Sequence, residues 1–128
     1  MTEITDSAAR AFARDWVAAW NAHDIERVLA HYSEEVEFRS PFIAAFAGEA
    51  SGRLLGKAAL RAYWRTALAR LPDLRFELLD VLVGAQSLTL SYRGHRGLVA
   101  ETFFFGEDGK VRSATACYAI GLSGPGEG

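Results

Sequence analysis

The chain has 128 residues, 50% of them hydrophobic and 23% charged, with a net charge of −2. That length suits one domain with a proper core, and the absence of a basic excess argues against nucleic acid as a partner. No run approaches the roughly 18 to 20 apolar residues that a membrane helix needs, so no membrane association is expected. The acidic start lacks the basic-then-apolar pattern of a leader. Cys117, the single cysteine, has no internal partner for a disulfide, which fits a cytoplasmic location. Residues 1–123 read as one domain, and the Gly-Pro-Gly-Glu-Gly stretch at 124–128 as a disordered tail.

In chain order, Asp6 or Ser7 is placed to cap a first helix ending near Asn21. Phe12, Trp16 and Trp20 recur at a spacing of four, with Ala9 and Ala13 beside them, which gives that helix one aromatic face to bury. Asp24 caps a short second helix carrying Ile25, Val28, Leu29 and Tyr32. Val36-Glu37-Phe38 alternates as a brief strand, and Pro41 after Ser40 stops ladder pairing and redirects the chain. Residues 42–56 read as a half-buried flap, because Phe42, Ile43 and Phe46 are too apolar for a free loop. Gly56 precedes a third helix to about Arg70, with Leu60, Trp64, Ala67, Leu68 and Leu71 inward.

The remainder is sheet. Leu74, Phe76 and Leu78 alternate with charged residues, then the phase slips at Leu79, the mark of a bulge. Leu88, Leu90 and Tyr92 alternate with serine and threonine. A final hairpin pairs Leu98 to Phe105 with Val111 to Ile120 about Asp108-Gly109. Helices followed by a meander of antiparallel strands predict an α+β fold.

Glu101 is a lone carboxylate on a strand otherwise built for a core. With two-residue turns at Gly94-His95 and Asp108-Gly109, Tyr92 faces Gly97, Leu90 faces Val99 and Leu88 faces Glu101. On the other side Phe105 faces Arg112, Phe103 faces Ala114 and Glu101 faces Ala116. Opposed residues share a face, so Glu101 lies with Leu88, Leu90, Tyr92, Val99, Phe103, Ala114, Ala116 and Tyr118 on the side that meets the helices. Thr89, Ser91, Thr102, Phe104, Ser113, Thr115 and Cys117 take the outer side. Two readings of Glu101 follow. It is either a buried acid paired with Arg112 or Arg39, or a carboxyl facing a pocket made roomy by Ala114 and Ala116. In the second reading desolvation raises its pKa, and the neutral acid donates a hydrogen bond.

The segments from Asp15 to Ile25, from Val36 to Pro41 and from Gly56 to Arg61, followed by the Glu101 hairpin, stand in a telling order. Over about residues 8–120 they resemble the nuclear transport factor 2-like superfamily, in its branch of SnoaL-like polyketide cyclases and ketosteroid isomerases. The resemblance implies a cone-shaped, curved antiparallel sheet packed against three helices of the N-terminal half, with an internal apolar pocket. It carries the isomerases' general base onto Ser40, their first-helix tyrosine onto Trp16 and their protonated aspartic acid onto Glu101. Only Glu101 keeps its acid chemistry. A serine without a partner does not take a proton from carbon at neutral pH, and tryptophan offers an N–H but no phenol. Glu101, Ser40 and Trp16 are thus the candidate catalytic residues, in a pattern that argues against steroid isomerisation.

The resemblance also suggests which side chains line the pocket. Trp20, Tyr32, Phe38, Phe42, Tyr63 and Trp64 are the candidates from the N-terminal half. Leu88, Tyr92, Phe103, Ala114, Ala116 and Tyr118 are those from the sheet. No cofactor is expected, and His23, His31 and His95 lack the spacing of metal ligands. His31 falls near the end of the second helix, where a cationic ring suits the dipole, while His23 and His95 fall in turns. The hydroxyl-rich outer face around Phe104 is the expected surface of a homodimer. Three functions stay open: a cofactor-free isomerase, cyclase or lyase acting on an apolar polyketide- or steroid-like molecule; a binding protein for such a molecule; and a protein-interaction module using the outer face.

Overall fold

Thr5 starts the fold. In the computed structural model, which describes residues 3–122, its extended backbone presents a hydroxyl that accepts from the Ala8 N–H at 3.0 Å. The cap is therefore Thr5, ahead of the expected Asp6 or Ser7. Helix α1 (Asp6–Asn21) buries Ala9, Ala13, Trp16, Ala19 and Trp20, the small and aromatic stripe visible in the sequence. The predicted tail at 124–128 lies outside the described residues.

His23 takes a left-handed φ of 57° and turns the chain, and Asp24 caps α2 (Ile25–Leu29) by accepting from the Arg27 N–H at 3.1 Å. The helix is shorter than expected, so Tyr32 opens strand β1 (Tyr32–Arg39) instead of closing α2. The flap is more regular than its composition suggested. It holds one turn of helix, α3 (Ile43–Ala47), closed by Gly48 in the left-handed region, and an edge strand, β2 (Arg53–Leu55). Helix α4 (Lys57–Arg70) follows, and β3 (Glu77–Gly84), β4 (Ser87–Gly94), β5 (Gly97–Phe105) and β6 (Val111–Tyr118) complete the chain. Among the described residues no helix is long and apolar enough to cross a membrane.

The fold is α+β, with one six-stranded sheet in the order β2-β1-β6-β5-β4-β3. It is mixed where an antiparallel sheet was expected, because β1 runs parallel to β6, with Phe38 beside Ala114. The phase slip at Leu79 is a bulge between Leu78 and Asp80. The inner face packs on α1 through edge-on aromatic contacts, Phe12 on Phe103 at 5.1 Å and Trp16 on Phe103 at 5.3 Å.

Two registers needed correction. The β4–β5 turn is made by His95 and Arg96, with Gly94 opposite Gly97, so Leu88 faces Phe103 and Leu90 faces Glu101. Moving the turn by one residue moves each partner by two, and a shift of two keeps every side chain on its face. In the last hairpin Glu101 faces Ala116 and Phe103 faces Ala114 as expected, but a bulge after Phe104 sets Phe105 opposite Val111. Arg112 is consequently exposed and does not share the Glu101 face.

Candidate functional site

Glu101 is buried, 3% exposed, and its Oε1 accepts from the Tyr92 hydroxyl at 2.7 Å. Neither arginine reaches it. Arg39 pairs with Glu37 at 3.0 Å on the surface, and Arg112 is turned outward. Removal from water raises the Glu101 pKa from an ordinary 4.5 to about 7, and the Tyr92 hydrogen bond only partly opposes this. The other oxygen, Oε2, makes no hydrogen bond among the described residues, yet it is not among the buried unpartnered atoms. It is therefore the oxygen open to the adjoining space.

That space is a cavity of about 100 Å³. Trp16 and Trp20 from α1, Phe38 from β1 and Tyr63 and Trp64 from α4 form its aromatic wall. Tyr92, Glu101 and Tyr118 face it from the sheet, and Phe42 from the flap. Each of these was a candidate from the sequence. The cavity reaches the exposed turn at His95 and Arg96, where the Arg96 guanidinium sits 4.5 Å above the Phe42 ring.

The remaining candidates are not on the cavity wall. Leu88, Phe103, Ala114 and Ala116 are buried core on the same sheet face. Tyr32 is buried behind the wall, where its hydroxyl accepts from Trp16 Nε1 at 3.0 Å. The Trp16 N–H is thus already committed. Ser40 is also buried; its Oγ accepts from the Phe42 N–H at 3.3 Å, a local turn that starts the flap. The same hydroxyl bears on Tyr63 and Tyr118, lowering pKa values that burial has raised.

All four tyrosines of the chain surround Glu101 closely enough for its charge to raise their pKa values, after burial as the larger cause. These tyrosines stay protonated near neutrality, where Glu101 titrates. Phe76 was missed as a wall residue. It stacks on Trp16 at 5.7 Å and leans on Tyr92 at 4.5 Å. Its alternation with Leu74 was the available signal. Phe46, Leu71 and Arg96 were missed as well; the apolar flap and the inward helix face had marked Phe46 and Leu71 as half-buried or inward, and nothing local marked Arg96. His31 lies just past the end of α2, near where it was expected. Its Nε2 meets Asp15 Oδ2 at 2.7 Å in a half-buried contact. Among the described residues no cluster of three or more histidine, cysteine or acidic side chains is arranged to hold a metal ion.

The family model of the SnoaL-like domain matches residues 13–119. The chain belongs to the SnoaL-like family. This SnoaL-like chain is 48% identical to a SnoaL-like protein of unknown function from Burkholderia thailandensis. The alignment covers 92% of this chain and 99% of that one, with a TM-score of 0.88. More distant structures share the fold. The epoxide hydrolase/cyclase-like enzyme SalBIII, with a role in pyran ring formation in the polyether salinomycin, is 12% identical with a TM-score of 0.69, over 90% of this chain and 93% of its own. TerC, co-crystallised with polyporic acid, is 15% identical with a TM-score of 0.70, over 87% and 91% of the two chains. No curated protein sequence matches.

Proposed function

We propose that this SnoaL-like protein binds a small, largely apolar, oxygen-bearing molecule in the cavity beside Glu101 and moves a proton on it without a cofactor. The observation that supports this most is the state of Glu101. A carboxyl with a pKa of about 7, one oxygen held by Tyr92 and the other open, is present as acid and as base in comparable amounts at neutral pH. Matching of pKa to working pH is what general acid–base catalysis needs. As the neutral acid it donates to a carbonyl or ether oxygen; as the carboxylate it takes a proton from an adjacent carbon and returns it elsewhere, a net isomerisation. The aromatic wall and the cyclase-like role described for SalBIII support a ring-bearing substrate of the polyketide kind.

A second reading, binding without chemistry, is favoured by one observation. The polar atoms at the two other catalytic candidates, Trp16 Nε1 and Ser40 Oγ, are engaged within the protein. One experiment separates the two readings: acetophenone bound in heavy water, followed by mass spectrometry. Acid–base function predicts deuterium entering the methyl carbon faster with the wild type than with Glu101→Gln. Binding of the ketone without enhanced exchange leaves the binding protein. We further propose that the outer face of the sheet seats a second copy of the chain, since Leu82, Leu98 and Phe104 stand exposed there among hydroxyl side chains.

A further inference from the structure

The two-residue turn between β4 and β5 sets Arg96 at the mouth of the cavity, and Gly97 lets that turn close by taking a φ of 100°. Of the side chains around the cavity, Arg96 alone carries a permanent positive charge. Its guanidinium stands 4.5 Å above the Phe42 ring, where cation–π attraction holds it at the rim. Phe42 in turn meets Tyr118 edge-on at 4.6 Å, so the flap, the turn and β6 join at this point. Among the described residues the ion pairs occupy other arginines, and no acceptor takes an N–H from the Arg96 side chain.

The Tyr118 hydroxyl beside it is also unspent. It makes no hydrogen bond among the described residues, yet it is not among the buried unpartnered atoms, so it is open. Burial above all raises the Tyr118 pKa, and the Arg96 charge is among the groups that oppose this, which puts the guanidinium near the hydroxyl. Glu101 differs: burial raises its pKa and the Tyr92 hydrogen bond opposes, with no cation acting on it. The cavity thus has an acid inside and a cation with a hydroxyl donor at its mouth, two separate polar points on an apolar wall, the pattern by which small-molecule sites fix orientation. The planar fork of a guanidinium matches a carboxylate. One cation balances one negative charge, whereas a phosphate brings a second that no other arginine or lysine at the rim offsets.

We propose that Arg96 and the Tyr118 hydroxyl form a carboxylate-binding point at the cavity mouth, so that the molecule taken up carries an acid group on a short arm and lays its apolar, oxygen-bearing part beside Glu101. This rests on the reading of the cavity as a small-molecule site and names the class of ligand. The keto acid 4-oxo-4-phenylbutanoate and its methyl ester share a skeleton and differ in charge. Calorimetry at pH 6, where most of the Glu101 carboxyl keeps its proton and repels no anion, gives the ratio of their affinities. The wild type is expected to prefer the acid roughly tenfold, the scale of one hydrogen bond to a charged group. Arg96→Gln brings the ratio near one, and because Arg96 stands exposed on a turn the ester is still bound. Arg96→Lys, which keeps the charge and loses the fork, retains part of the preference. Tyr118→Phe lowers the ratio as well. Salt gives a second readout that needs no variant: raising its concentration weakens binding of the acid and leaves the ester unchanged. An ester that binds as tightly as the acid, or a preference for the acid that survives Arg96→Gln, overturns the carboxylate point and leaves the cavity reading standing. Failure of both compounds to bind overturns both.

Discussion

Burying Glu101 without a cation makes its proton part of the stability of the fold. The unfolded chain holds this carboxyl near its ordinary 4.5, whereas the folded protein holds it at about 7. Between those values the native state keeps a proton that the unfolded state has released. Stability from this group is therefore complete below about pH 4.5, falls as pH rises toward 7 and is level above it. The loss across that window is on the order of 3 kcal/mol. Urea unfolding of wild type and Glu101→Gln at pH 5 and pH 8 checks this, because other titrating groups cancel in the comparison. The wild type should lose about 3 kcal/mol more than the variant between the two conditions; equal losses would show that the buried carboxyl stays ionised throughout. Tyr92→Phe removes the hydroxyl that stabilises the carboxylate, and should move the loss to higher pH. Much of this residue was legible in the sequence. Its face and its partner Ala116 followed from the turn at Asp108-Gly109. The Tyr92 hydrogen bond was not, since it joins a diagonal pair that the wrong β4–β5 turn had set two residues out of place.

Between elements, one side chain stands out as a clamp. Asn21, the last residue of α1, donates from Nδ2 to the Phe76 carbonyl at 3.0 Å and accepts at Oδ1 from the Phe76 N–H at 2.7 Å. It imitates a strand partner for the residue just before β3 and so fixes Phe76 against Trp16 and Tyr92. Close by, His23 Nε2 lies 2.9 Å from the Leu74 carbonyl. Asn21→Ala leaves both backbone groups of Phe76 without these bonds, at a cost of about 2 kcal/mol. Asn21→Asp keeps the acceptor but loses the donor, and should be intermediate or worse, because a carboxylate then faces a carbonyl. Thermal unfolding of the two variants tests this, and an alanine variant as stable as the wild type would show that the clamp adds nothing. The sequence marked Asn21 only as a helix end, because its partner lies 55 residues away with no local signal connecting them. The parallel pairing of β1 with β6 was hidden for the same reason. The helix stripe, the inner and outer faces and the bulge at Leu79 were readable because each is a local period, or a break in one.

At the scale of the whole molecule, the helices cover one face of the sheet and leave the outer face of β4, β5 and β6 uncovered. Its centre carries Thr89, Ser91, Thr102, Ser113, Thr115 and Cys117, with Asp80 beside Ser91, Glu37 beside Ser113 and Arg39 beside Thr115 at the rim, and the Thr89 and Thr102 hydroxyls bond across the strands at 2.8 Å. Around that centre Leu82 is 52% exposed, Leu98 44% and Phe104 38%. A surface that mixes apolar side chains with groups able both to donate and to accept is complementary to itself. A two-fold dimer demands this, because each patch meets its own copy. Sedimentation equilibrium should therefore give twice the chain mass of 14.0 kDa. Phe104→Glu places like charges on both copies of the patch and should shift the protein to monomer, without disturbing the cavity on the opposite face. Cys117 gives an independent readout, since its free thiol is exposed on this face in the single chain. It should react slowly with a thiol reagent in the wild type and rapidly in Phe104→Glu. A wild-type protein that sediments as a monomer with a fast-reacting Cys117 would exclude the second copy. A dimer that survives Phe104→Glu with an unchanged thiol rate would place the interface on another surface.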